Sequence, residues 1–237
     1  MQAEIDALKL NQTWTKVDLP AGKKAISSKW VFKVKLKVDG SLERYKARLV
    51  VRGNTQKEGI DYTKTFSPVV KMATIRTVLA LPTARKWSVY QLDVNNAFLH
   101  RDLHEEAYMK MSEGIPNPNN KICKLQKSLY GLKQASKQWH SKLADFLKCQ
   151  GYSPSKNDYS LFLQSTSEHL TIVAIYVDDI LITGSDPNGI KLLKQNLHYT
   201  FGIKDLGFLH YFLGFEVSHF HDGIILTQRK FTQDLLR

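Results

Sequence analysis

This chain is short of several things that would have simplified its reading. It has only two cysteines, Cys123 and Cys149, and they stand in no metal-type spacing, so neither a disulfide framework nor a zinc site is expected and both read as reduced thiols. No stretch approaches the roughly 18 uninterrupted apolar residues of a membrane helix. The opening Met1-Gln2-Ala3-Glu4-Ile5-Asp6 lacks the basic and apolar regions of a signal peptide, so the expected setting is intracellular with no membrane partner. Repeats, low-complexity tracts and a clean linker are absent too. Acidic residues are the scarcer sign, 22 against 34 Lys and Arg, and the deficit is regional. Residues 1–80 hold 16 Lys and Arg against 7 Asp and Glu, whereas the rest of the chain holds 18 against 15. What remains is an ordinary globular composition, 43% hydrophobic and 24% charged, enough for one large domain or two packed subdomains.

The basic third has a pattern. Trp30 to Lys37 alternates apolar with cationic side chains, and Arg44 to Arg52 does so nearly as well, with Val38-Asp39-Gly40-Ser41 as a turn between them. Two strands, each with an apolar and a basic face, would set two cationic rows side by side. Like charges on neighbouring strands repel, so a phosphate-bearing polyanion is the economical partner. An edge hairpin whose lysines discourage aggregation is the competing reading.

Further on, a helix is expected from about Lys71 to Ala80, ended by Pro82, and a strand over Trp87–Val94. Lys133–Cys149 is a clear amphipathic helix, with Ala135, Trp139, Leu143, Phe146 and Leu147 on one stripe. Another helix is expected from about Asn188 to Tyr199, then aromatic strands over Phe208–Phe215 and Ile224–Leu226. Irregular alternation of this kind gives an α+β class with a mostly antiparallel sheet packed on helices.

The chemistry lies in carboxylates placed where charge is costly. Asp178 and Asp179 interrupt the apolar run from Leu170 to Ile182, which contains no Lys or Arg, and Asp93 ends the apolar strand before Val94. The run is too long for one strand, so two strands meeting at a turn put the acid pair at a hairpin tip. Neighbours on a straight strand point to opposite faces. Only a turn aims both at one site; otherwise Asp178 ligates directly and Asp179 assists. Three carboxylates together would raise at least one pKa unless hard divalent cations neutralise them, and an oxygen-only set suits Mg2+. Two such ions can clamp the attacking and departing oxygens of a phosphoryl transfer. The competing readings are a surface Asp-Asp turn and, for Asp93, a turn through Asn95-Asn96-Ala97. Gly184 to Lys191 is no phosphate loop, because Ile190 stands where its lysine belongs. His219 and His221 read as strand histidines rather than a metal patch.

Taken in order, several segments carry a resemblance: Lys29-Trp30-Val31-Phe32, Tyr45 to Val50, Gly59-Ile60-Asp61-Tyr62, Thr65 to Val69, Gln91 to His100, Ser128 to Ala135, Tyr176-Val177-Asp178-Asp179, Lys204-Asp205-Leu206-Gly207 and Tyr211 to Val217. From about Asn11 onward the chain resembles the reverse transcriptase of copia-type LTR retrotransposons. The resemblance implies a right-hand polymerase: fingers at about 11–86 and 103–138, palm at about 87–102 and 139–217, the start of a thumb at about 218–237, and residues 1–10 as the remnant of an upstream helix. It implies RNA-directed addition of a dNTP to a primer 3′-hydroxyl on an RNA or DNA template, with two Mg2+ ions, or Mn2+ in their place, held by Asp93, Asp178, Asp179 and the Val94 backbone. Lys46, Arg48, Phe98, Tyr130, Gly131 and Lys133 would bind the dNTP, Phe98 as a wall excluding a 2′-hydroxyl. Phe212, Leu213 and Gly214 would grip the primer. Lys33, Lys35, Arg44 and Gln134 would touch nucleic acid, and Lys204 would protonate pyrophosphate. The resemblance further implies a polyprotein with RNase H and integrase, a cytoplasmic virus-like particle, and a chain that stops where the thumb begins; a truncated remnant that only binds nucleic acid is the alternative. At Arg101 the family usually has a glycine, so a turn with positive φ is expected there.

Overall fold

The computed structural model describes residues 1–36, 41–220 and 223–236. In chain order its elements are α1 (Gln2–Leu10), β1 (Trp14–Val17), β2 (Ser28–Leu36), β3 (Leu42–Val51), α2 (Met72–Arg85), β4 (Val89–Val94), β5 (Tyr108–Lys110), β6 (Ile122–Leu125), α3 (Ala135–Cys149), β7 (Ser153–Pro154), β8 (Leu161–Ser165), β9 (Leu170–Tyr176), β10 (Asp179–Gly184), α4 (Pro187–Phe201), β11 (Ile203–Phe208), β12 (Tyr211–Phe212), β13 (Phe215–Phe220), β14 (Gly223–Thr227) and α5 (Arg229–Leu235). Every strand pair within the sheets is antiparallel, so the α+β class holds.

The chain divides into two compact units. The first, residues 1–67 and 98–142, holds the three-stranded sheet β1-β6-β5 and the β2-β3 hairpin. Its α1 buries Ile5 and Leu8. The inner end of the hairpin is anchored by buried Leu49 and Val51, but the apolar face of its outer end stands exposed: Phe32 is 66% exposed and Tyr45 77%. The expected apolar face therefore goes uncovered there. The expected Val38-Asp39-Gly40 turn lies outside the described residues, as does His221.

The second unit, residues 68–97 and 143–237, is built on a six-stranded sheet ordered β11-β4-β10-β9-β8-β7, with a separate three-stranded sheet β12-β13-β14. Its core joins Val70, Ile75 and Leu79 to Val89, Ala174, Leu181, Leu209, Phe212 and Val217. Ile75 and Leu79 lie on α2, so residues 68–86 belong with this unit rather than with the first segment of the chain. Nor does α2 stop at Pro82. It runs on to Arg85, because a proline in the last turn forfeits a single N–H while burying its ring, and Thr83 Oγ1 donates to the Leu79 carbonyl at 2.7 Å. The aromatic stretch Phe208–Phe215 is not one strand. Leu213 and Gly214, with φ of 52° and 85°, make a two-residue turn between β12 and β13, the primed geometry that matches strand twist. At α4, Asp186 caps the helix by accepting from Gly189 N at 2.9 Å, Pro187 opens it and Gly202 ends it in the left-handed region, which accounts for those residues without a phosphate.

No helix among the described residues is long and apolar enough to cross a membrane.

Candidate functional site

The acid pair does sit at a hairpin tip. Tyr176 pairs with Asp179, leaving Val177 and Asp178 as a two-residue turn between β9 and β10. Val177 takes φ 55°, a left-handed conformation that a β-branched residue adopts only at a cost, so the turn stores strain beside the carboxylates. On its other side β10 pairs with β4, and the register sets Asp179 directly opposite Asp93. Asp179, expected to assist, is thus the one that faces Asp93, while Asp178 occupies the turn and its carbonyl accepts from Val94 N at 2.9 Å. The row continues: β11 pairs with β4 so that Lys204 lies opposite Asp93 on the far side. Residues directly opposite on antiparallel strands share a face, so Asp179, Asp93 and Lys204 form one line across three strands.

Electrostatics agree with that placement. Burial raises the Asp179 carboxyl to about 6, the charges of Asp178 and Asp93 push the same way, and a hydrogen bond from Gln91 Nε2 at 3.3 Å opposes them. Gln91 shares a strand face with Asp93, two positions on, and sequence reasoning passed over it. As the side chains lie, no three His, Cys, Asp or Glu among the described residues form a ready-made cage. The donor set nevertheless fits hard divalent cations: three oxygen ligands at one sheet end, where burial first and the charges of Asp178 and Asp93 second disfavour an ionised Asp179 that a bound cation would stabilise. Asp93 lies within β4, with Asn96 in the left-handed region and a 3-10 turn over Ala97–His100 after it. Arg101, expected at positive φ, has an ordinary backbone; the left-handed residue of that turn is Asn96.

In the same unit, Phe212 is buried in the core and meets Tyr176 edge-on at 6.2 Å, Leu213 packs partly against that core, and Gly214 sits at the open tip of its turn.

The remaining expected residues lie in the first unit. Lys33 stands opposite Lys46 and Lys35 opposite Arg44 across β2 and β3, so the two cationic rows are real. Further down, Arg48 lies opposite Val31, with its guanidinium carbon 3.9 Å from the centroid of the Tyr130 ring. Phe98, 6% exposed, meets that same ring at 4.6 Å and 64°. The loop carrying Tyr130 is pinned. Val51 N donates to the Tyr130 carbonyl at 2.8 Å, and a Cβ on Gly131, at φ 93°, would come within 2.0 Å of the Val51 oxygen. Lys133 donates through its backbone to Gln56 Oε1 at 2.9 Å and through Nζ to Tyr62 Oη at 3.2 Å. Gln134 is 1% exposed, its amide engaged with Gln56 and the Asp61 carbonyl, so it braces the loop rather than presenting a surface to a strand. Gln56, buried and central to this network, went unremarked in the sequence because its partners lie more than seventy positions away.

These features define a class of protein. The model of the family described as reverse transcriptase (RNA-dependent DNA polymerase) matches residues 11–237, and the chain belongs to that family. Among its relatives are the retrovirus-related Pol polyproteins from transposon RE1 of Arabidopsis thaliana, 44% identical over 100% of this chain and 16% of that protein, and from transposon TNT 1-94 of Nicotiana tabacum, 45% identical over 100% and 18%. The copia-type resemblance stands, and the chain spans about a sixth of the length of these relatives. A solved structure of a foamy viral protease–reverse transcriptase in complex with double-stranded DNA aligns with all of this chain and 36% of that one, at 16% identity and a TM-score of 0.45.

Proposed function

We propose that this chain is the polymerase part of a retrotransposon Pol polyprotein, extending a primer on an RNA or DNA template by nucleotidyl transfer from dNTPs. The observation that carries the reading is the register pair Asp93–Asp179, with Asp178 in the adjoining turn: carboxylates from strands some eighty positions apart meet at one sheet end. Asp93, Asp178 and Asp179, with the Val94 carbonyl, would hold two Mg2+ ions. When bound, such ions activate the 3′-hydroxyl and neutralise charge on the phosphates. The primer oxygen then forms its bond to the α-phosphorus as the bond to the bridging oxygen breaks and pyrophosphate leaves. Lys204, in line with Asp93, is suited to protonating the departing pyrophosphate. The Lys33, Lys35, Arg44 and Lys46 rows offer charge to phosphates, Phe98 supplies the wall beneath the sugar, and the Leu213-Gly214 turn meets the primer.

The test is primer extension on an RNA template with Mg2+ and dNTPs. Extension that Asp178→Asn abolishes supports the proposal. Binding of primer–template without any extension would instead make this chain a nucleic-acid-binding remnant.

A further inference from the structure

We infer that Arg48, Tyr130 and Phe98 form a packed column that keeps the Phe98 ring from receding, so that Arg48 and Tyr130 are positioning residues for sugar selection rather than ligands of the triphosphate. The inference rests on Phe98 being the sugar wall. A wall discriminates by clash only if it stays put, since a ring that withdraws by an ångström admits an extra hydroxyl. The column supplies that rigidity. Tyr130 meets Phe98 edge-on at 4.6 Å, and the Arg48 guanidinium in turn lies over the Tyr130 ring, 3.9 Å from its centroid. Tyr130 itself has no slack. Its carbonyl is held by Val51 N–H at 2.8 Å, and its neighbour Gly131 is pressed so closely on the Val51 oxygen that no side chain would fit. One strand, β3, thus provides both the main-chain clamp and, three residues earlier, the stacking cation.

Arg48 is poorly set up to grip a triphosphate directly. Its Nε is buried with no hydrogen-bond partner among the described residues, and the guanidinium of this half-buried residue lies over a ring. Its placement is explained by stacking, which an arginine plane does better than a lysine ammonium. Lys46, two positions along the same face, stands opposite Lys33 in the cationic row.

The experiment compares incorporation of a dNTP and the matching rNTP, and in parallel the retention of primer–template promoted by each nucleotide. It uses the full chain and the variants Tyr130→Phe, Tyr130→Leu, Tyr130→Ala, Arg48→Lys, Arg48→Met and Phe98→Ala. Because the readout is a ratio within one preparation, a partly unfolded variant does not distort it. The expected result is a sugar preference reduced roughly tenfold by Tyr130→Ala and Tyr130→Leu, the scale an aromatic pair supports, and severalfold by Arg48→Met. Arg48→Lys should fall between Arg48→Met and the unaltered chain. Tyr130→Phe should keep the preference, because the ring is retained. The gain should appear in rNTP use, with the KM for dNTP nearly unmoved.

An unchanged ratio in Tyr130→Ala and Arg48→Met, with KM raised for both nucleotides alike, would make these residues direct ligands and overturn the inference. Tyr130→Phe losing as much as Tyr130→Ala would overturn it too, by assigning the effect to the hydroxyl. If Phe98→Ala leaves the ratio intact, the sugar-wall reading fails and the column with it. If Phe98→Ala abolishes the preference while Tyr130→Ala does not, only the column fails.

Discussion

Two hairpins, one in each unit, show opposite ways of carrying charge on a β-ribbon. The β9-β10 hairpin is buried along nearly its whole length and confines its charge to the tip, where Asp178 and Asp179 meet Asp93. The β2-β3 hairpin is open to solvent along its outer half and sets its charges face to face, Lys33 against Lys46 and Lys35 against Arg44. In the first, a rigid apolar frame holds repelling groups in place and the site is organised before any ligand arrives. In the second, like charges face each other across the ladder, so a polyanion would relieve that repulsion as well as bind. The frame suits chemistry that needs fixed geometry, and the open ribbon suits a partner whose sequence varies.

The contrast is broken most severely at the tip. Asp93→Asn or Asp179→Asn should lower Mg2+-dependent extension by at least about a thousandfold, some 4 kcal/mol of transition-state stabilisation, without changing the circular dichroism spectrum. Millimolar Mg2+ should also raise the melting temperature of the unaltered chain and not of Asp93→Asn, because ion binding removes the mutual repulsion of the carboxylates. A variant that kept its activity, or an ion-dependent stabilisation that survived the substitution, would remove the carboxylate site from the mechanism.

Next in size is an acid that supports the frame without joining the chemistry. Asp158, buried, accepts from Thr74 Oγ1 at 2.6 Å, from Ser160 Oγ at 2.5 Å and N at 3.1 Å, and from Lys71 N at 3.3 Å, tying the start of α2 to the loop before β8. Burial alone would raise its carboxyl, but the hydrogen bonds from Ser160, Thr74 and Lys71 together win and lower it. A depressed folded-state pKa contributes stability that is present above the unfolded value and is lost as pH falls through the folded one. Asp158→Ala should therefore destabilise the chain by about 2 kcal/mol in urea unfolding at neutral pH, with the difference shrinking below the ordinary carboxylate range. An equal loss at all pH values would mean that packing, not the ionised carboxylate, supplies the effect.

How much of this was legible in the sequence follows from how far each signal reaches. The carboxylates showed themselves because charge inside an apolar run is conspicuous in a window of ten residues, and the hairpin tip followed from length and β-branching. The register that puts Asp179, not Asp178, opposite Asp93 was not legible, since no local pattern encodes which of two strands eighty residues apart slides by one position. Pro82 was read as a stop because the cost of proline is local, whereas the burial that lets α2 continue is tertiary. The break at Leu213-Gly214 was hidden for a related reason: only the glycine signals a turn, and leucine at φ 52° is held there by its surroundings. The Gln56–Gln134 contact spans 78 positions and leaves no trace in either neighbourhood, so Gln134 looked like a ligand for nucleic acid.

On the open ribbon a single substitution should separate binding from stability. Lys33→Gln removes one of two facing cations, so nucleic-acid affinity should fall and the slope of log affinity against log salt should become shallower by about 0.9 if one phosphate contact is lost. The thermal stability of the free chain should rise slightly, by about 0.3 kcal/mol, because the like-charge pair is relieved in solvent. A matched fall in both quantities would show that Lys33 is a structural part of the hairpin and that the repulsion argument is wrong.

A last substitution returns to the buried hairpin and tests whether its rigidity is bought with strain. Val177 sits at φ 55°, where glycine would sit at ease, so Val177→Gly should stabilise the turn by about 1 kcal/mol after allowing for the extra freedom that glycine gives the unfolded chain. If the strain serves to hold Asp178 and Asp179 against Asp93, the relieved turn should be more stable yet slower, with extension down severalfold and the Mg2+ concentration needed for half-maximal rate increased. Stability gained with no change in rate or ion requirement would show that the register pair alone fixes the carboxylates, and that the conformation of Val177 is a by-product of a two-residue turn closed by a tightly packed frame.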